Sequence, residues 1–287
     1  MKTPDPGHSL FEPALNLSWQ TLRLTSRVTK GGWVGRDKSS AWRGMFGHAL
    51  RSLRIEWYYQ VFENKVSPMH PMGRRMRQGP VPYVMYVPDD QRTAVVPGDE
   101  VEVYLTLVGQ AAALALQLKP VFERMGRAWG PDEARAEWAG FEVMPPLSWA
   151  RLERLPFSGA ASVRLVTPYI GHKSTAPDWA DLVVAMAERT AWLSHFFCEG
   201  PLREDLTPWR AAAELGSINR SWAMADEVKR YSTRQARKME ITGWLCGWEI
   251  EDLHPGLAPL LLCAARLGVG KGAPWGMGRL RVDWLPA

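Results

Sequence analysis

The most distinctive chemical feature of the sequence is a glycine-rich segment close to its C-terminus. Residues 267–279 read LGVGKGAPWGMGR and contain five glycines within eleven positions. Because glycine has no side chain, its backbone N–H groups can approach a phosphate closely, and successive amides of this kind form an anion-binding nest. The segment therefore predicts a phosphate site, and a loop that needs glycine only for tight packing is the alternative. The candidate contacts are Gly268, Gly270, Lys271, Gly272, Trp275, Gly276, Gly278 and Arg279.

The spacing of this segment differs from that of common nucleotide-binding motifs. A P-loop places Ser or Thr directly after its lysine and continues into a helix. Here Gly272 follows Lys271, and a predicted strand comes next. A dinucleotide-binding fingerprint follows a strand, whereas a predicted helix leads into this segment. The sequence also has no HExxH, GxSxG or paired-carboxylate pattern.

Basic residues are concentrated in two further places. The chain has 35 Lys and Arg against 30 Asp and Glu, a net charge of +5 and a pI near 9.2, which favours a polyanion such as RNA. Residues 70–77 form a predicted basic loop that contains Arg74, Arg75 and Arg77. Residues 220–238 hold six basic against two acidic residues, a local balance of +4, with candidate contacts at Arg230, Arg234, Arg237 and Lys238. Any single charge could be an ordinary solvated side chain, but the clusters together favour RNA.

Cysteine and tryptophan usage further limits the class of protein. The three cysteines are far apart, with no CxxC pair, which favours reduced thiols in a cytoplasmic protein over zinc or disulfides. No signal peptide is evident, and no apolar stretch is long enough to span a bilayer. We therefore predict no metal, no organic cofactor and no membrane contact. Most of the 15 tryptophans should lie in the core, leaving a minority to stack on bases.

The elements that must position these residues form two successive units. In residues 1–155, the patterns predict a strand, a first helix at about 41–60, two strands and a second helix, with a loop or short insertion at about 126–140. Prolines mark a boundary before residues 156–287, where the predicted order is β-α-β-β-α-β and the glycine-rich loop (268–278) precedes the last strand. The predicted class is α+β, with two tandem ferredoxin-like (RRM-like, βαββαβ) domains. The fold alone does not decide function.

Four segments, in this order along the chain, resemble the RAMP superfamily of CRISPR proteins. Residues 41–51 (AWRGMFGHALR) are similar to its first-helix pattern RG-x-x-G-x-x-L-R, which adds Arg43 and Arg51 as RNA contacts. Residues 166–168 (VTP), residues 230–239 (RYSTRQARKM) and the glycine-rich segment also resemble the superfamily. Within it, the likeness is greatest to the endoribonucleases that process CRISPR precursor RNA. The resemblance implies two ferredoxin-like folds, with RNA bound along their cleft and basic faces.

The resemblance also implies a reaction that requires no metal. The 2′-hydroxyl beside the scissile bond attacks the phosphate and leaves a 2′,3′-cyclic phosphate and a 5′-hydroxyl, which requires a base, a positive group and an acid. A histidine of the first helix commonly serves, and that position is His48 here. The helical pattern directs His48 away from the apolar stripe, so a core role is not expected. An ordinary exposed histidine is the alternative.

One departure from the family changes the expected catalytic set. Relatives have a tyrosine ahead of that histidine, whereas this sequence has none before Tyr58. Divergent members, including those of CRISPR systems without a nuclease effector, use arginines, which can orient the 2′-hydroxyl and stabilise the transition state. We therefore expect His48 to share catalysis with Arg23, Arg36 and Lys38.

Three functions are compatible with these patterns. The first is a repeat-cleaving endoribonuclease that matures guide RNA, with retention of the product left open. The second is a non-catalytic RNA-binding backbone subunit of a CRISPR effector complex, and the third is an RNA-binding protein unrelated to CRISPR. The duplicated fold and the polar position of His48 favour the first. The expected partners are CRISPR repeat RNA, guide RNA and other effector-complex subunits.

Overall fold

A long first strand organises the N-terminal half of the computed structural model, which describes residues 10, 15–36, 38–64, 66, 79–88, 92–125, 129, 132–171, 174–232 and 237–286. This strand, β1 (Ser18–Lys30), alternates buried and exposed residues along most of its length. Leu22 and Leu24 are buried, whereas Arg23 between them is exposed. The alternation arises because successive side chains of a strand point to opposite faces of the sheet.

The first unit has the element order β-α-β-β-α-β. Its main helices and sheet strands are α1 (Lys38–Leu53), β3 (Tyr83–Tyr86), β5 (Glu100–Val108), α3 (Lys119–Arg124) and β6 (Arg135–Val143). The shorter elements are β2 (Gly32–Trp33), α2 (Ile55–Trp57), a π-helical turn (Tyr58–Phe62), β4 (Ala94–Val95), a 3-10 helix (Gly109–Leu118), β7 (Leu147–Ser148) and α4 (Trp149–Leu152). The antiparallel sheet has the strand order β3-β5-β1-β6, and β7 also pairs with β1.

The second unit repeats this order, with one additional helix. Its elements are β8 (Ala161–Leu165), α5 (Trp179–Phe197), α6 (Thr207–Leu215), β9 (Ser217–Ser232), β10 (Arg237–Glu251), α7 (Leu257–Leu267), a 3-10 turn (Ala273–Trp275) and β11 (Leu280–Trp284). The antiparallel sheet has the order β11-β8-β10-β9. Both sheets therefore place the fourth main strand beside the first, then the third, then the second. This α+β architecture is consistent with the two ferredoxin-like units that the sequence predicts.

Two differences from the predicted elements concern the first unit. The predicted insertion at 126–140 is wrong for residues 135–140, because β6 begins at Arg135 and pairs with β1 inside the main sheet. The strand was not predicted because it contains several polar residues and has Ala136 as its single buried side chain. The predicted helix at 41–60 begins at Lys38 and breaks at Arg54 before the short α2 and the π-helical turn.

The two units share a hydrophobic core. Residues from both ends of the first unit, among them Leu17, Trp19 and Trp149, pack with the buried faces of α5 and α7. A second cluster lies between α1 and the Leu22 face of the first sheet. The predicted boundary between residues 155 and 156 thus assigns Trp149 to the first unit, although its side chain lies in the core of the second. The boundary itself stays a prediction.

Trp149 offers a test of this shared core. Its side chain is fully buried, and its indole Nε1 donates a 2.7 Å hydrogen bond to Glu153 Oε1. We expect Trp149→Ala to lower the free energy of unfolding by about 3–5 kcal/mol, because it leaves a large cavity. Leu155→Ala, at an exposed position nearby, should change it by less than about 0.5 kcal/mol. Urea denaturation of both variants measures the difference, and equal effects would contradict the shared core.

Candidate nucleic-acid interface

The glycine-rich segment folds back on itself between α7 and β11. Four of its glycines have positive φ, at 67° for Gly268, 79° for Gly270, 85° for Gly276 and 61° for Gly278. A Cβ added to Gly278 would lie 1.9 Å from the carbonyl oxygen of Val269, which itself donates its N–H to Gly278 O at 2.9 Å. Glycine is required at this crossing because any side chain would occupy the space of the neighbouring backbone.

The same segment joins the two units. A Cβ on Gly276 would lie 2.8 Å from both Cβ and Oγ of Ser39 in the first turn of α1, and 3.1 Å from Met85 O in β3. The Ser39 hydroxyl accepts a 3.0 Å hydrogen bond from the backbone N–H of Val87, immediately after β3. Gly276 therefore allows the second unit to approach the start of α1 and the end of β3 closely.

Thr167, in the VTP triplet, connects the two ends of the loop. Its hydroxyl donates to Gly276 O at 2.8 Å and accepts from the Arg279 N–H at 2.8 Å. The next residue, Pro168, accepts the N–H of Gly278 at 2.9 Å. The sequence indicated the triplet only through the family resemblance, because nothing in its local pattern shows that a threonine hydroxyl crosses to a segment more than a hundred residues later.

A buried arginine, absent from the sequence-based candidates, holds the start of the segment. Arg189 of α5 donates its Nε hydrogen to Leu267 O at 3.1 Å, at the C-terminal end of α7. Burial lowers the pKa of Arg189 to about 10, so the side chain stays charged at neutral pH. A cation at this position complements the negative end of the helix dipole.

These contacts correct the predicted phosphate nest. Gly268, Gly272, Trp275, Gly276 and Gly278 are buried within the protein. The N–H groups of Gly268, Trp275, Gly276 and Gly278 donate to protein carbonyls, so these amides are not presented to a phosphate. Packing, the alternative considered for this segment, accounts for these glycines. Lys271 is exposed, Gly270 and Arg279 are half-buried, and these three stay candidates for RNA contacts.

Arg279 extends from the segment onto the outer face of the first sheet, opposite α1. Its guanidinium lies 3.6 Å from the ring centroid of Tyr86. Tyr86, Tyr104, Arg23 and Glu142 form one cross-strand row in the register of β3, β5, β1 and β6. Burial lowers the pKa of the Arg279 guanidinium, whereas the electrostatic effect of Tyr86 raises it. The row places a cation and two tyrosines where the two units meet.

Arg266, which sequence reasoning missed, adds a second charge beside Arg279. It lies in the last turn of α7 and its side chain is exposed. Its positive charge, like burial, lowers the pKa of Arg279. Within the described part of the chain, neither arginine forms an ion pair. Two neighbouring cations without a carboxylate partner are an electrostatic site for an anion.

The predicted catalytic residues do not form one cluster. His48 is exposed on α1, which packs against the Leu22 face of the sheet, whereas Arg23 is on the opposite face. Arg23 pairs with Glu142 at 2.8 Å and with Glu102 at 3.8 Å. The prediction that His48 and Arg23 act together on one phosphate is therefore wrong, because the sheet lies between the two side chains.

The two other basic candidates lie at the start of α1. Lys38 is buried there, about 15 Å from His48 along the helix at 1.5 Å per residue. Arg36, just before α1, reaches across to the second unit, with Nη2 3.8 Å from Asp226 Oδ2 of β9. Neither residue is beside His48, so the predicted sharing of catalysis does not extend to them.

The remaining RNA-contact candidates have different surroundings. Arg51 is exposed one turn beyond His48, whereas the Arg43 guanidinium lies over the Phe62 ring at 4.3 Å. Arg230 is in β9, and Arg237 and Lys238 are in β10, close to the tip of this hairpin. Arg74, Arg75, Arg77 and Arg234 lie outside the described residues.

Replacing Gly276 tests whether the junction depends on close approach. We expect Gly276→Ala to lower the free energy of unfolding by about 1–3 kcal/mol, because the residue has positive φ and its new methyl would meet Ser39. Gly44→Ala is the matched control: nothing lies within 4 Å of its added Cβ, and alanine in a helix should stabilise by about 0.5–1 kcal/mol. Opposite signs in chemical denaturation are expected, and a neutral Gly276→Ala would contradict the packing.

Known proteins share this architecture. The AF_1859_N family model, described as an N-terminal domain, matches residues 17–148. The product complex of Cas6 (TTHB231) from Thermus thermophilus has a TM-score of 0.58 and 15% identity, covering 92% of this chain and 100% of that one. The Cas6 (TTHA0078) product complex has a TM-score of 0.58 and 17% identity, over 93% of this chain and 99% of that one.

A third similar structure belongs to a larger assembly. A partial Cas6-RT-Cas1–Cas2 complex has a TM-score of 0.62 and 12% identity, and the match covers 95% of this chain and 47% of that one. No curated protein sequence matches the chain significantly. The chain thus has a Cas6-like fold, and the predicted resemblance to RAMP-type CRISPR proteins is confirmed at the level of the fold.

Two further properties concern the described residues. None of their helices is long and apolar enough to cross a membrane. No three His, Cys, Asp or Glu side chains among them are grouped as a metal site would require.

Proposed function

We propose that this protein is an endoribonuclease that binds CRISPR repeat RNA and cleaves it to mature guide RNA. The observation that carries the proposal is the Cas6-like fold over more than nine-tenths of the chain, combined with an exposed histidine on the first helix. Two of the similar Cas6 structures are product complexes, and another is a substrate-mimic complex. We infer that both units are ferredoxin-like RNA-binding domains.

His48 is the proposed general base. As a neutral imidazole it takes the proton of the 2′-hydroxyl, and O2′ bonds to phosphorus as the P–O5′ bond breaks. The 5′-oxygen leaves with a proton from solvent, which gives a 2′,3′-cyclic phosphate and a 5′-hydroxyl. Arg51, one turn away on the exposed side of α1, is placed to stabilise the negative charge on the phosphate.

The proposed RNA path starts at the junction of the two units. Arg266, Lys271 and Arg279 supply positive charge there and form no ion pair with a carboxylate among the described residues, whereas Arg23 pairs with two glutamates. The start of α1 touches this junction at Ser39, and His48 lies about 13 Å further along the helix. Because Arg279 lies on the sheet face opposite α1, the proposed RNA strand passes around the β3 edge beside Ser39 and then follows α1 to His48.

Cleavage of repeat RNA in EDTA tests the reaction. We expect cleavage by the unaltered protein, none when the scissile nucleotide is 2′-deoxy, and a single-turnover rate about 100- to 10,000-fold lower for His48→Ala. Ser52→Ala, at another exposed position of α1, should leave the rate unchanged. Full activity of His48→Ala would remove His48 from the mechanism. Tight binding without cleavage by the unaltered protein would instead indicate a non-catalytic RNA-binding subunit.

The salt dependence of RNA binding tests the arginine pair. Because each phosphate contact releases counterions, we expect Arg266→Ala to weaken binding and to reduce the slope of log Kd against log salt by about 0.7–1. Arg124→Ala, an exposed charge on α3, is the control and should leave the slope unchanged. Filter binding across a salt series measures both, and equal slopes for the two variants would exclude Arg266 as a phosphate contact.

Other CRISPR subunits are proposed partners. This proposal is supported by the fold shared with part of a chain in a Cas6-RT-Cas1–Cas2 complex.

A further inference from the structure

The outer face of the second sheet exposes a large aromatic side chain. Trp222 of β9 is 45% exposed and Met224, two residues along on the same face, is 55% exposed. The core face of this sheet, by contrast, carries Val163, Cys246 and Trp248 against α5 and α7. Trp222 therefore lies on the side of the sheet that its own helices do not cover.

A glycine holds the Trp222 ring against the sheet. Gly247 of β10 is the direct cross-strand partner of Trp222. A Cβ on Gly247 would lie 2.5 Å from Trp222 Nε1 and 2.7 Å from Cε2, so the indole lies across the bare backbone of this glycine. Trp222 is nevertheless 45% exposed, so part of its ring is open to solvent. An indole in contact with the sheet and partly exposed offers a surface on which a base can stack.

Positive charge flanks the ring. Arg164 of β8 is the next residue in the same row, as the partner of Gly247, and Asp283 holds its guanidinium at 2.7 Å. Arg220 lies two residues before Trp222 on the same face and is exposed. Glu249 is opposite Arg220 in the register, but the two form no ion pair among the described residues. An aromatic platform beside an arginine that is available for a phosphate favours a nucleotide.

The exposed surface around Trp222 and Arg220 is continuous with the junction of the two units. Asp226, four residues beyond Trp222 on the same strand, contacts Arg36 of the first unit. Its cross-strand partner Gly243 lies against Pro168, which accepts the N–H of Gly278 in the glycine-rich segment. Trp222 is therefore about 13 Å from the junction end of the sheet at 3.3 Å per residue. RNA leaving the junction can run directly along this face.

We propose that Trp222 is a base-stacking site for an unpaired nucleotide of the bound RNA, with Arg220 at the adjoining phosphate. The proposal rests on the proposed function and names a contact that lies outside the reacting centre. Gly247 leaves room for the indole to lie against the sheet, and the base would stack on the exposed part of the ring. The contact contributes to affinity, and the chemical step at His48 proceeds without it.

Equilibrium binding of repeat RNA to Trp222 variants is the first test. We expect Trp222→Ala to raise Kd about 5- to 150-fold, the range for loss of one base–aromatic stack, and Trp222→Phe to remain within about threefold. The single-turnover cleavage rate at saturating protein should be unchanged. Leu215→Ala, an exposed apolar residue on α6, is the control and should leave Kd unchanged. Unchanged Kd for Trp222→Ala would overturn the proposal, even if cleavage by the unaltered protein supports the proposed function.

A double-mutant cycle with abasic RNA identifies the base. Single abasic substitutions along the repeat should each be measured with the unaltered protein and with Trp222→Ala. We expect one position whose abasic form weakens binding to the unaltered protein but not to the variant, because both changes remove the same stack. Additive effects at every position would refute stacking on Trp222.

The oligomeric state separates RNA binding from protein docking. Residues 217–225 of β9 are exposed, and β9 is an edge strand, a geometry that can also pair with a strand of another chain. We expect unaltered protein and Trp222→Ala to show the same mass in sedimentation velocity. If Trp222→Ala dissociated an oligomer and left RNA affinity unchanged, the exposed surface around Trp222 would be a protein–protein contact, and the proposal would be overturned. Failure of the unaltered protein to bind or cleave repeat RNA would reject the proposed function itself.

Discussion

The glycine-rich segment of the second unit packs closely against the start of α1 and the end of β3, and this contact holds the two units together. Gly276 has no side chain where Ser39 and Met85 come against it, and Thr167 ties Gly276 to Arg279 through a single hydroxyl. Since the segment is also the connection between α7 and β11, the position of the last strand and the position of the first unit depend on the same contact. Arg189 fixes the entry to the segment by bonding to Leu267 O. A residue with a side chain at Gly276 would push the two units apart.

This constraint explains how charge is distributed over the surface. Gly268, Gly276 and Gly278 donate their amides to protein carbonyls, so the segment offers an anion chiefly its side chains, Lys271 and Arg279, with Arg266 beside them. The sheet of the first unit then separates two environments. Arg23 and its glutamates lie on the outer face with Tyr86 and Tyr104, and His48 lies on the exposed side of α1 beyond the other face. Under the proposed function, phosphate binding is expected at the junction and proton transfer at α1.

The shared core gives the arrangement its rigidity. Trp19 and Trp149 of the first unit are buried among side chains of α5 and α7, so relative movement of the units would expose a large apolar area to water. The proposed function requires such rigidity, because RNA held at the junction has to keep a constant distance from His48. The outer face of the second sheet, with Trp222 over Gly247, extends the same surface away from the junction.

The sequence by itself determined the α+β class, most of the order of elements in the two units, the glycine-rich segment and the exposure of His48, because all of these follow from local periodicity and from short motifs. It could not separate a phosphate nest from a packing loop, since that depends on which carbonyls receive the glycine amides and on what lies against Gly276. It missed Arg266 and Arg189, and it gave no sign of the contacts that Thr167 makes with residues more than a hundred positions away. It also missed the strand β6, whose polar residues hide its pairing with β1. It also grouped Arg23 with His48, although alternation along β1 places Arg23 on the far side of the sheet. Only the tertiary structure decides such questions, because contacts between residues far apart in sequence leave no local pattern.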